Sequence, residues 1–197
     1  MHEERTLPVL VHCGLAHAQF ESIRPFLDGN GRVGRLLITF LLCERGVLRE
    51  PLLYLSLFFK QNRAAYYELL QAVRERGAWE DWLEFFLRGV AETARQGTET
   101  AQRLLRLFAQ DRERIETLGR AANATLRMHQ LLQRRVLTPI PHAAKRLGLS
   151  QPTVTSALMH LQDLGIVRES TGRQRGRIFV YGAFLDLLSE GTDPLPR

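Results

Sequence analysis

The chain has 197 residues, of which 45% are hydrophobic and 24% charged, and this composition excludes an intrinsically disordered protein. The longest apolar run, the eight residues Leu36–Cys43, is too short for a membrane-spanning helix, which needs ~20 residues, so no membrane contact is expected. Two cysteines are too few for a disulfide framework, which favours a cytoplasmic location.

The net charge of +6 is distributed unevenly. Residues 1–96 are neutral, with 12 basic and 12 acidic residues, whereas residues 134–181 hold eight basic and two acidic residues. A local excess of positive charge is typical of a module that binds a polyanion such as DNA. Charge and helical pattern together divide the chain into a segment 1–96, a helical linker 97–133 and a basic segment 134–190.

The N-terminal segment is predicted to be helical. Three- and four-residue spacing of apolar side chains predicts a first helix over Leu7–Phe20. Its expected apolar face consists of Leu7, Leu10, Val11, Gly14, Leu15 and Ala18. A second helix, from Gly34 to a cap at Gly46, is apolar on most faces and is expected to be the buried centre of its domain. Three more helices are expected near Leu52–Phe59, Arg63–Arg76 and Trp79–Ala94.

The rest of the chain is predicted to contain one long helix, a helical pair and a hairpin. The long helix covers Thr98–Arg134, and the pair covers Ile140–Leu147 and residues 151–164, with Ser150 as the N-cap of the second helix. Two short strands joined by a basic turn follow. Helix, turn, helix and hairpin form a winged helix-turn-helix. The expected fold class is therefore mainly α, with a helical core plus a small domain carrying a two-stranded β wing.

The break between the first two helices is the most specific feature of the sequence. Gly29-Asn30-Gly31 leads directly into a helix, so successive backbone N–H groups point to one place and form an anion nest. Arg32 and Arg35 lie three residues apart on the first turn and can clasp phosphate oxygens. Asp28 could hold a divalent cation that bridges those oxygens. These parts describe a nucleotide polyphosphate site; a glycine turn with surface arginines is the alternative.

The eleven residues Pro25–Arg35 resemble the signature of Fic (Fido) domain proteins, H-P-F-x-[D/E]-G-N-G-R-x-x-R. A bacterial subset of this family carries a C-terminal winged helix, so the resemblance extends over nearly the whole chain. It implies transfer of AMP from ATP to a hydroxyl group of a protein target. The roles that it implies are Mg²⁺ binding by Asp28, phosphate binding by Arg32, Arg35 and the backbone of Gly29, Asn30 and Gly31, and burial of Phe26.

The sequence departs from this pattern at Arg24, where the family has a histidine that acts as general base. Arginine has a pKa above ~12 and no free acceptor, so it cannot take a proton. Losing a general base typically costs ~10²–10⁴-fold in rate. His17, two helical turns upstream, is expected to be structural and not a replacement base.

The short stretch ahead of the motif is a second departure. Only 23 residues precede Arg24, so the resemblance implies that the N-terminal part of the family domain is lacking. The apolar faces of Leu7–Phe20 and Leu36–Cys43 would then be uncovered, which predicts marginal stability or self-association.

The basic segment suggests DNA binding, with protein docking as the alternative. In a winged helix the second helix enters the major groove and the wing contacts the backbone. The candidate helix residues are Gln151, Thr153, Thr155, Ser156 and His160. The candidate wing residues are Arg168, Arg173, Arg175 and Arg177.

Two functions of different classes follow from the sequence. One is a Fic-type protein nucleotidyltransferase that uses ATP and Mg²⁺ and is impaired by Arg24. The other is a DNA-binding transcriptional regulator, in which the Fic remnant serves as a nucleotide-sensing or dimerisation body. The partners implied are a nucleotide, an unidentified protein target, DNA and, for the regulator, a second copy of the chain.

Overall fold

The computed structural model describes residues 7–49, 54–173 and 176–190. The chain divides into two compact units, Met1–Thr98 and Glu99–Arg197. The described residues are mainly α-helical with one small antiparallel sheet, which confirms the fold class expected from the sequence. None of the described helices is long and apolar enough to cross a membrane.

The helices of the first unit lie close to the predicted positions. In chain order they are α1 (Val9–Ile23), α2 (Asn30–Glu44), α3 (Leu55–Gln61), α4 (Arg63–Arg76) and α5 (Trp79–Glu116). The largest difference is the length of α5, which has 38 residues and continues past Thr98.

The aromatic side chains of α3, α4 and α5 form a large part of the core of the first unit. Trp82 and Phe86 of α5 are fully buried, and Tyr66 of α4 is nearly so. The indole Nε1–H of Trp82 donates to the backbone oxygen of Gly14 in α1 at 2.8 Å. A Cβ at Gly14 would lie 2.9 Å from the Phe86 ring, so only glycine permits this close approach of α1 to α5.

The buried face of α1 differs from the predicted one. The residues that it buries are Cys13, Gly14, His17, Ala18 and Glu21. Leu10, Val11 and Leu15 are only partly buried, and Leu7 is exposed. The buried face of α1 therefore contains a histidine and a glutamate, because the helices that pack against α1 in the tertiary fold cover that face.

The expectation that α2 is a buried central helix is wrong. Gly34, Ile38 and Leu42 are buried, but Leu36 and Phe40 are 52% and 63% exposed. The α1 contacts cover one side of α2 only. An uncovered apolar face is therefore present on α2 among the described residues, as the sequence predicts, while self-association stays a prediction.

Buried His17 connects three helices of the first unit. Its Nδ1 lies 2.9 Å from the backbone oxygen of Gly34 in α2, and its Nε2 lies 2.9 Å from the hydroxyl of Tyr66 in α4. Because a carbonyl oxygen only accepts, Nδ1 carries the hydrogen and Nε2 accepts the Tyr66 O–H. Burial lowers the pKa of His17 to about 4, and the nearby positive charge of Arg35 acts in the same direction. The structural role expected for His17 is confirmed.

The second unit combines helices with a three-stranded sheet. After α5 come a 3-10 turn (Gly119–Ala121), α6 (Ala122–Arg134), β1 (Leu137–Pro139), α7 (Ile140–Leu147), α8 (Gln151–Asp163), β2 (Val167–Glu169), β3 (Ile178–Tyr181) and α9 (Gly182–Ser189). The strand order is β1-β3-β2, and both pairs are antiparallel. Ser150 caps α8 as predicted, because its Oγ accepts from the backbone N–H of Thr153 at 3.2 Å.

Three features of this unit were not predicted, one of which is helix α9. The expected single helix over Thr98–Arg134 is divided between Glu116 and Ala122, where Gly119 has a φ of +60°. Strand β1 was missed, so the sheet has three strands instead of the two of the expected wing. With three residues and a proline, β1 is too short to show a strand pattern in the sequence.

A chain of polar side chains runs through the core of the second unit. Gln133 donates to Nδ1 of His129 at 3.2 Å, and the other ring nitrogen of His129 lies 3.2 Å from the Tyr181 hydroxyl. That hydroxyl donates to Oδ2 of Asp111 at 2.6 Å. Oδ1 of Asp111 accepts from Arg114 at 3.0 Å. Each of these linked side chains thus has a partner, which removes most of the cost of burying it.

We expect the first unit to lose stability in acid through His17. The native pKa of about 4 lies below the ordinary value of 6.5, so the unfolded chain binds the proton more tightly. This contribution is complete above pH 6.5 and is lost as the pH falls toward 4, by up to about 1.4 kcal/mol per pH unit.

Urea unfolding followed by tryptophan fluorescence measures this effect, because both tryptophans of the chain, Trp79 and Trp82, lie in the first unit. The His17→Gln variant is the control, and the difference between the two chains isolates His17 from other titrating groups. Equal pH dependence of the two free energies of unfolding would contradict the assignment.

Candidate functional site

The loop between α1 and α2 begins with an unusual backbone conformation at Arg24. This residue has φ 48° and ψ 63°, the left-handed region, and it is the only non-glycine residue with positive φ among those described. Its N–H donates to the oxygen of Phe20 at 3.0 Å and closes the last turn of α1. Such a conformation costs ~1–3 kcal/mol outside glycine, so the surrounding structure must stabilise it.

The side chain of Asn30 holds the loop together. Its Oδ1 accepts from the N–H of Phe26 at 2.9 Å, and its Nδ2 donates to the oxygen of Phe26 at 2.5 Å. Gly29, with φ 81°, lets the chain turn directly into α2. The Asn30 side chain is therefore occupied within the loop, and only its backbone N–H is free to face a ligand. The sequence predicted a role for that backbone but did not predict these two hydrogen bonds between Asn30 and Phe26, which we call the Asn30 clip.

Arg32 and Arg35 both fold back over the first turn of α2. A Cβ placed on Gly29 would lie 3.4 Å from Nη2 of Arg32, and one placed on Gly31 would lie 3.2 Å from Nη1 of Arg35. The two glycines thus leave room for guanidinium groups beside backbone N–H groups that lack acceptors within the helix. The predicted residues Gly29, Asn30, Gly31, Arg32 and Arg35 are brought together, in an arrangement suited to an anion.

A cavity of about 490 Å³ adjoins the two arginines. Its lining comprises Arg32, Arg35, Leu36, Thr39, Tyr54, Leu55 and Ser56. Helical spacing predicts a packing role for Ser56, Tyr66, Tyr67, Trp79 and Trp82. Tyr66 and Trp82 do lie in the core, whereas Ser56 lines the cavity and Tyr67 and Trp79 are exposed.

Asp28 is the candidate metal ligand of the loop. Its side chain is 96% exposed and lies 3.6 Å from Nη2 of Arg32. No group of three or more His, Cys, Asp or Glu side chains that could hold a metal converges among the described residues. Asp28 can therefore supply one carboxylate ligand, which fits Mg²⁺ only when phosphate oxygens and waters complete its coordination.

Phe26 is not buried under the loop, contrary to the expectation from the resemblance. Its side chain is 52% exposed, and its aromatic neighbour is Phe20, with ring centroids 6.3 Å apart. The adjacent Leu27 is fully exposed. The described residues supply too few apolar partners on this side of the loop to cover either side chain.

Glu21 is a site residue that sequence analysis missed. It is 5% exposed, and its Oε1 has no hydrogen-bond partner among the described residues. Burial raises the pKa of Glu21, while the positive charges of Arg35, Arg24 and Arg74 oppose that rise. A Cβ on Gly34 would lie 2.5 Å from this oxygen, so α2 passes directly over the carboxyl group. Glu21 follows His17 by four residues, a spacing that places both side chains on the same face of a helix, and this was the signal in the sequence that could have identified it.

Arg74 of α4 fixes the end of α1 next to the loop. Its Nη2 donates to the backbone oxygen of Glu21 at 2.6 Å, and its Nε donates to the Ser22 hydroxyl at 3.3 Å. A cation at this end of a helix satisfies free carbonyl groups and stabilises the helix dipole. The contact joins residues more than 50 positions apart, so no local pattern in the sequence could indicate it.

The candidate nucleic-acid residues lie on α8 and the hairpin of the second unit. Gln151 and Ser156 are exposed, but the hydroxyl of Thr155 donates to the oxygen of Gln151 at 2.8 Å, and that of Thr153 lies 2.8 Å from Ser150 Oγ. The side chains of Gln151 and Ser156 are thus more accessible than the hydroxyl groups of the two threonines.

The candidate arginines of the hairpin differ in their surroundings. Arg173 is exposed, whereas the Arg177 guanidinium lies 5.6 Å from the centre of the Phe179 ring. Arg168 lies 3.9 Å from Asp186, whose negative charge partly offsets that of the guanidinium group. Arg175 lies outside the described residues, so its assignment stays a prediction.

Comparison with known proteins supports the resemblance seen in the loop. The model of the Fic/DOC family matches residues 2–42. A probable protein adenylyltransferase of Aquifex aeolicus (strain VF5) is 30% identical over 169 residues, 86% of this chain and 48% of that protein. The protein adenylyltransferase Fic of Drosophila erecta is 39% identical over 70 residues, 36% of this chain and 13% of that protein.

The chain thus spans about half the length of the Aquifex relative and a smaller part of the Drosophila protein. The matched region contains α1, the loop with its clip at Asn30, and the turn of α2 that carries both arginines. The chain is therefore a Fic domain protein, with its family sequence at residues 2–42.

Proposed function

We propose that the first unit binds the phosphate groups of ATP at Gly29–Arg35 and serves an adenylyltransferase reaction whose transfer step is impaired by Arg24. One observation carries this proposal: the guanidinium groups of Arg32 and Arg35 fold back over the glycines of the first turn of α2. The names of the relatives, which are protein adenylyltransferases, support ATP as the nucleotide and a protein as the acceptor.

Each residue of the loop has a distinct task in this proposal. The first-turn N–H groups and Arg32 donate to the phosphate oxygens nearest the helix, while Arg35 donates to the terminal ones. The Asn30 clip keeps the loop in the conformation that aims those N–H groups. Glu21 lies behind Arg35, where its carboxylate offsets part of the positive charge while no ligand is bound.

Mg²⁺ would bind at Asp28, where it would neutralise part of the phosphate charge. The carboxylate is exposed and has Arg32 as its ion-pair partner at 3.6 Å. A positively charged ligand at Asp28 would therefore release Arg32 toward the phosphates.

Arg24 is the residue that limits transfer. Attack by a hydroxyl group needs an acceptor for its proton, and a guanidinium group offers none. The left-handed conformation at residue 24 favours asparagine, aspartate and histidine over other side chains. A histidine is therefore compatible with this backbone. In this proposal, the side chain at position 24 alone determines whether the site only binds the nucleotide or also transfers AMP.

The Arg35→Ala variant should bind ATP at least ~10-fold more weakly, because it loses charge-assisted hydrogen bonds worth ~1.5–3 kcal/mol. Calorimetric titration with ATP and Mg²⁺ measures the change. Arg95→Ala removes an exposed arginine of α5 and is the matched control, expected to bind like the unaltered chain. Equal affinity of the Arg35 and Arg95 variants would contradict the site.

The Arg24→His variant should transfer AMP ~10²–10⁴-fold faster than the unaltered chain, because it regains a general base. Incorporation of label from α-labelled ATP into protein measures the rate. Arg24→Asn is the control, since asparagine also tolerates the left-handed conformation but supplies no base near neutral pH. Equal rates for the histidine and asparagine variants would show that residue 24 does not limit transfer.

A second candidate function, DNA binding, is favoured by the order of elements in the second unit. The sequence α6, β1, α7, α8, β2, β3, with β3 between the other strands, corresponds to a winged helix in which α8 would read the major groove. Gln151 and Ser156 would face the bases, and Arg173 and Arg177 would contact phosphates.

Affinity for duplex DNA should fall steeply as salt rises, with a slope of ~0.9 per phosphate contact on logarithmic axes. The Arg173→Ala variant should lower that slope by ~1. Fluorescence anisotropy with a labelled duplex between 50 and 200 mM salt measures both. Arg106→Ala, an exposed arginine of α5, is the charge-matched control. A slope that Arg173→Ala and Arg106→Ala leave equally unchanged would contradict the wing contact.

A further inference from the structure

The second unit contains a long region without negative charge. No aspartate or glutamate occurs between Glu116 and Asp163, while the same region holds six lysine and arginine residues. The region comprises α6, β1, α7 and most of α8. Positive charge is thus concentrated on α6, on α7 and on the residues next to α6, in a unit whose other segments contain both signs.

Four arginines of this region line one cleft. Arg127 and Arg134 come from α6, Arg135 follows α6, and Arg146 comes from α7. The cleft has a volume of about 290 Å³, with Gln130, Leu131 and Leu147 completing its wall. The positions 127, 130, 131 and 134 recur at helical spacing, so one face of α6 presents all of them toward α7.

None of these four arginines has a carboxylate within 4.0 Å among the described residues. This distinguishes them from Arg103, Arg112, Arg114 and Arg168 of the same unit, each of which pairs with an aspartate or glutamate. Arg127 instead forms a hydrogen bond with the backbone, in which its Nη2 donates to the oxygen of Leu147 at the end of α7. That hydrogen bond ties the two walls of the cleft together.

Unpaired guanidinium groups that converge repel each other and favour an anion between them. Like charges close together at a protein surface repel each other, and a bound anion between them offsets that repulsion. Leu131 is mostly buried at the cleft, and an apolar wall strengthens the attraction of the arginines for a bound anion. The planar, forked geometry of guanidinium groups matches tetrahedral oxyanions in particular.

We propose that the cleft of Arg127, Arg134, Arg135 and Arg146 is a second anion site of the chain, which binds a phosphoryl group. It is built from residues of the second unit alone and does not rest on the nucleotide site at Gly29–Arg35. The phosphoryl group can belong to the backbone of a nucleic acid or to a free phosphorylated small molecule, and the chemistry of recognition is the same in both.

The test removes two of the four charges. The Arg134→Gln/Arg146→Gln variant is compared with Arg106→Gln/Arg112→Gln, which removes the same charge from exposed positions on α5. Both are made in the Arg35→Ala chain, so that the first anion site does not contribute. Calorimetry measures the affinity for inorganic tripolyphosphate, which represents a free phosphorylated molecule. Fluorescence anisotropy measures the affinity for a labelled 20-base-pair duplex, which represents a nucleic-acid backbone, and circular dichroism checks that each variant is folded.

We expect the Arg134/Arg146 variant to bind at least one of the two probes ~10-fold or more weakly than the Arg106/Arg112 variant. A loss with tripolyphosphate alone identifies a free phosphorylated ligand, and a loss that includes the duplex identifies a nucleic-acid backbone. Arg134→Lys/Arg146→Lys keeps the charge but loses the forked geometry, so it should bind with intermediate affinity. Equal affinities of the two glutamine variants for both probes would overturn the proposal.

Discussion

The hydrogen bond between His17 and the backbone of Gly34 determines how the loop region of the first unit is built. It fixes α2 against α1 at 2.9 Å, and the second ring nitrogen extends the link to Tyr66 of α4. Gly34 makes the contact possible, since a Cβ there would meet Phe20, His17 and Glu21. With the two helices held this closely, the chain between them must turn sharply, and the left-handed residues Arg24 and Gly29 are the consequence.

Buried charge next to the loop is the second constraint on this region. Glu21 lies beneath α2, and the residues that the structure describes supply no hydrogen-bond donor to its Oε1. Three arginines, at positions 24, 35 and 74, act on it at longer range. Such a carboxyl group weakens the fold near neutral pH, because burial opposes its ionisation. Its charge also opposes the binding of an anion above Arg35. Glu21 therefore acts against both the stability of this region and the positive potential that a phosphate site needs.

The sequence was sufficient for the helices and for the composition of the loop. Periodicity located α1 to α4 within a few residues, and the signature at Pro25–Arg35 indicated which residues meet at the first turn of α2. The sequence did not predict which side chains are buried and which are exposed. Phe26 and Phe40 are exposed although both are strongly apolar, whereas His17 and Glu21 are buried although both are polar. Burial depends on neighbours from distant parts of the chain, and a local pattern does not contain them.

The sequence by itself determined the family, the helical class and the presence of Arg24 where the family signature has a histidine, since each depends on residue types at short spacing. Only the tertiary structure decided that Asn30 clips the loop, that Arg74 caps α1 and that β1 joins the sheet. It also decided that four arginines share a cleft in which no carboxylate of the described part of the chain pairs with them. These features join residues far apart in sequence or depend on the directions in which side chains point. Packing fixes these directions, so a side chain of a given type can be unpaired on one face of a helix and paired on another.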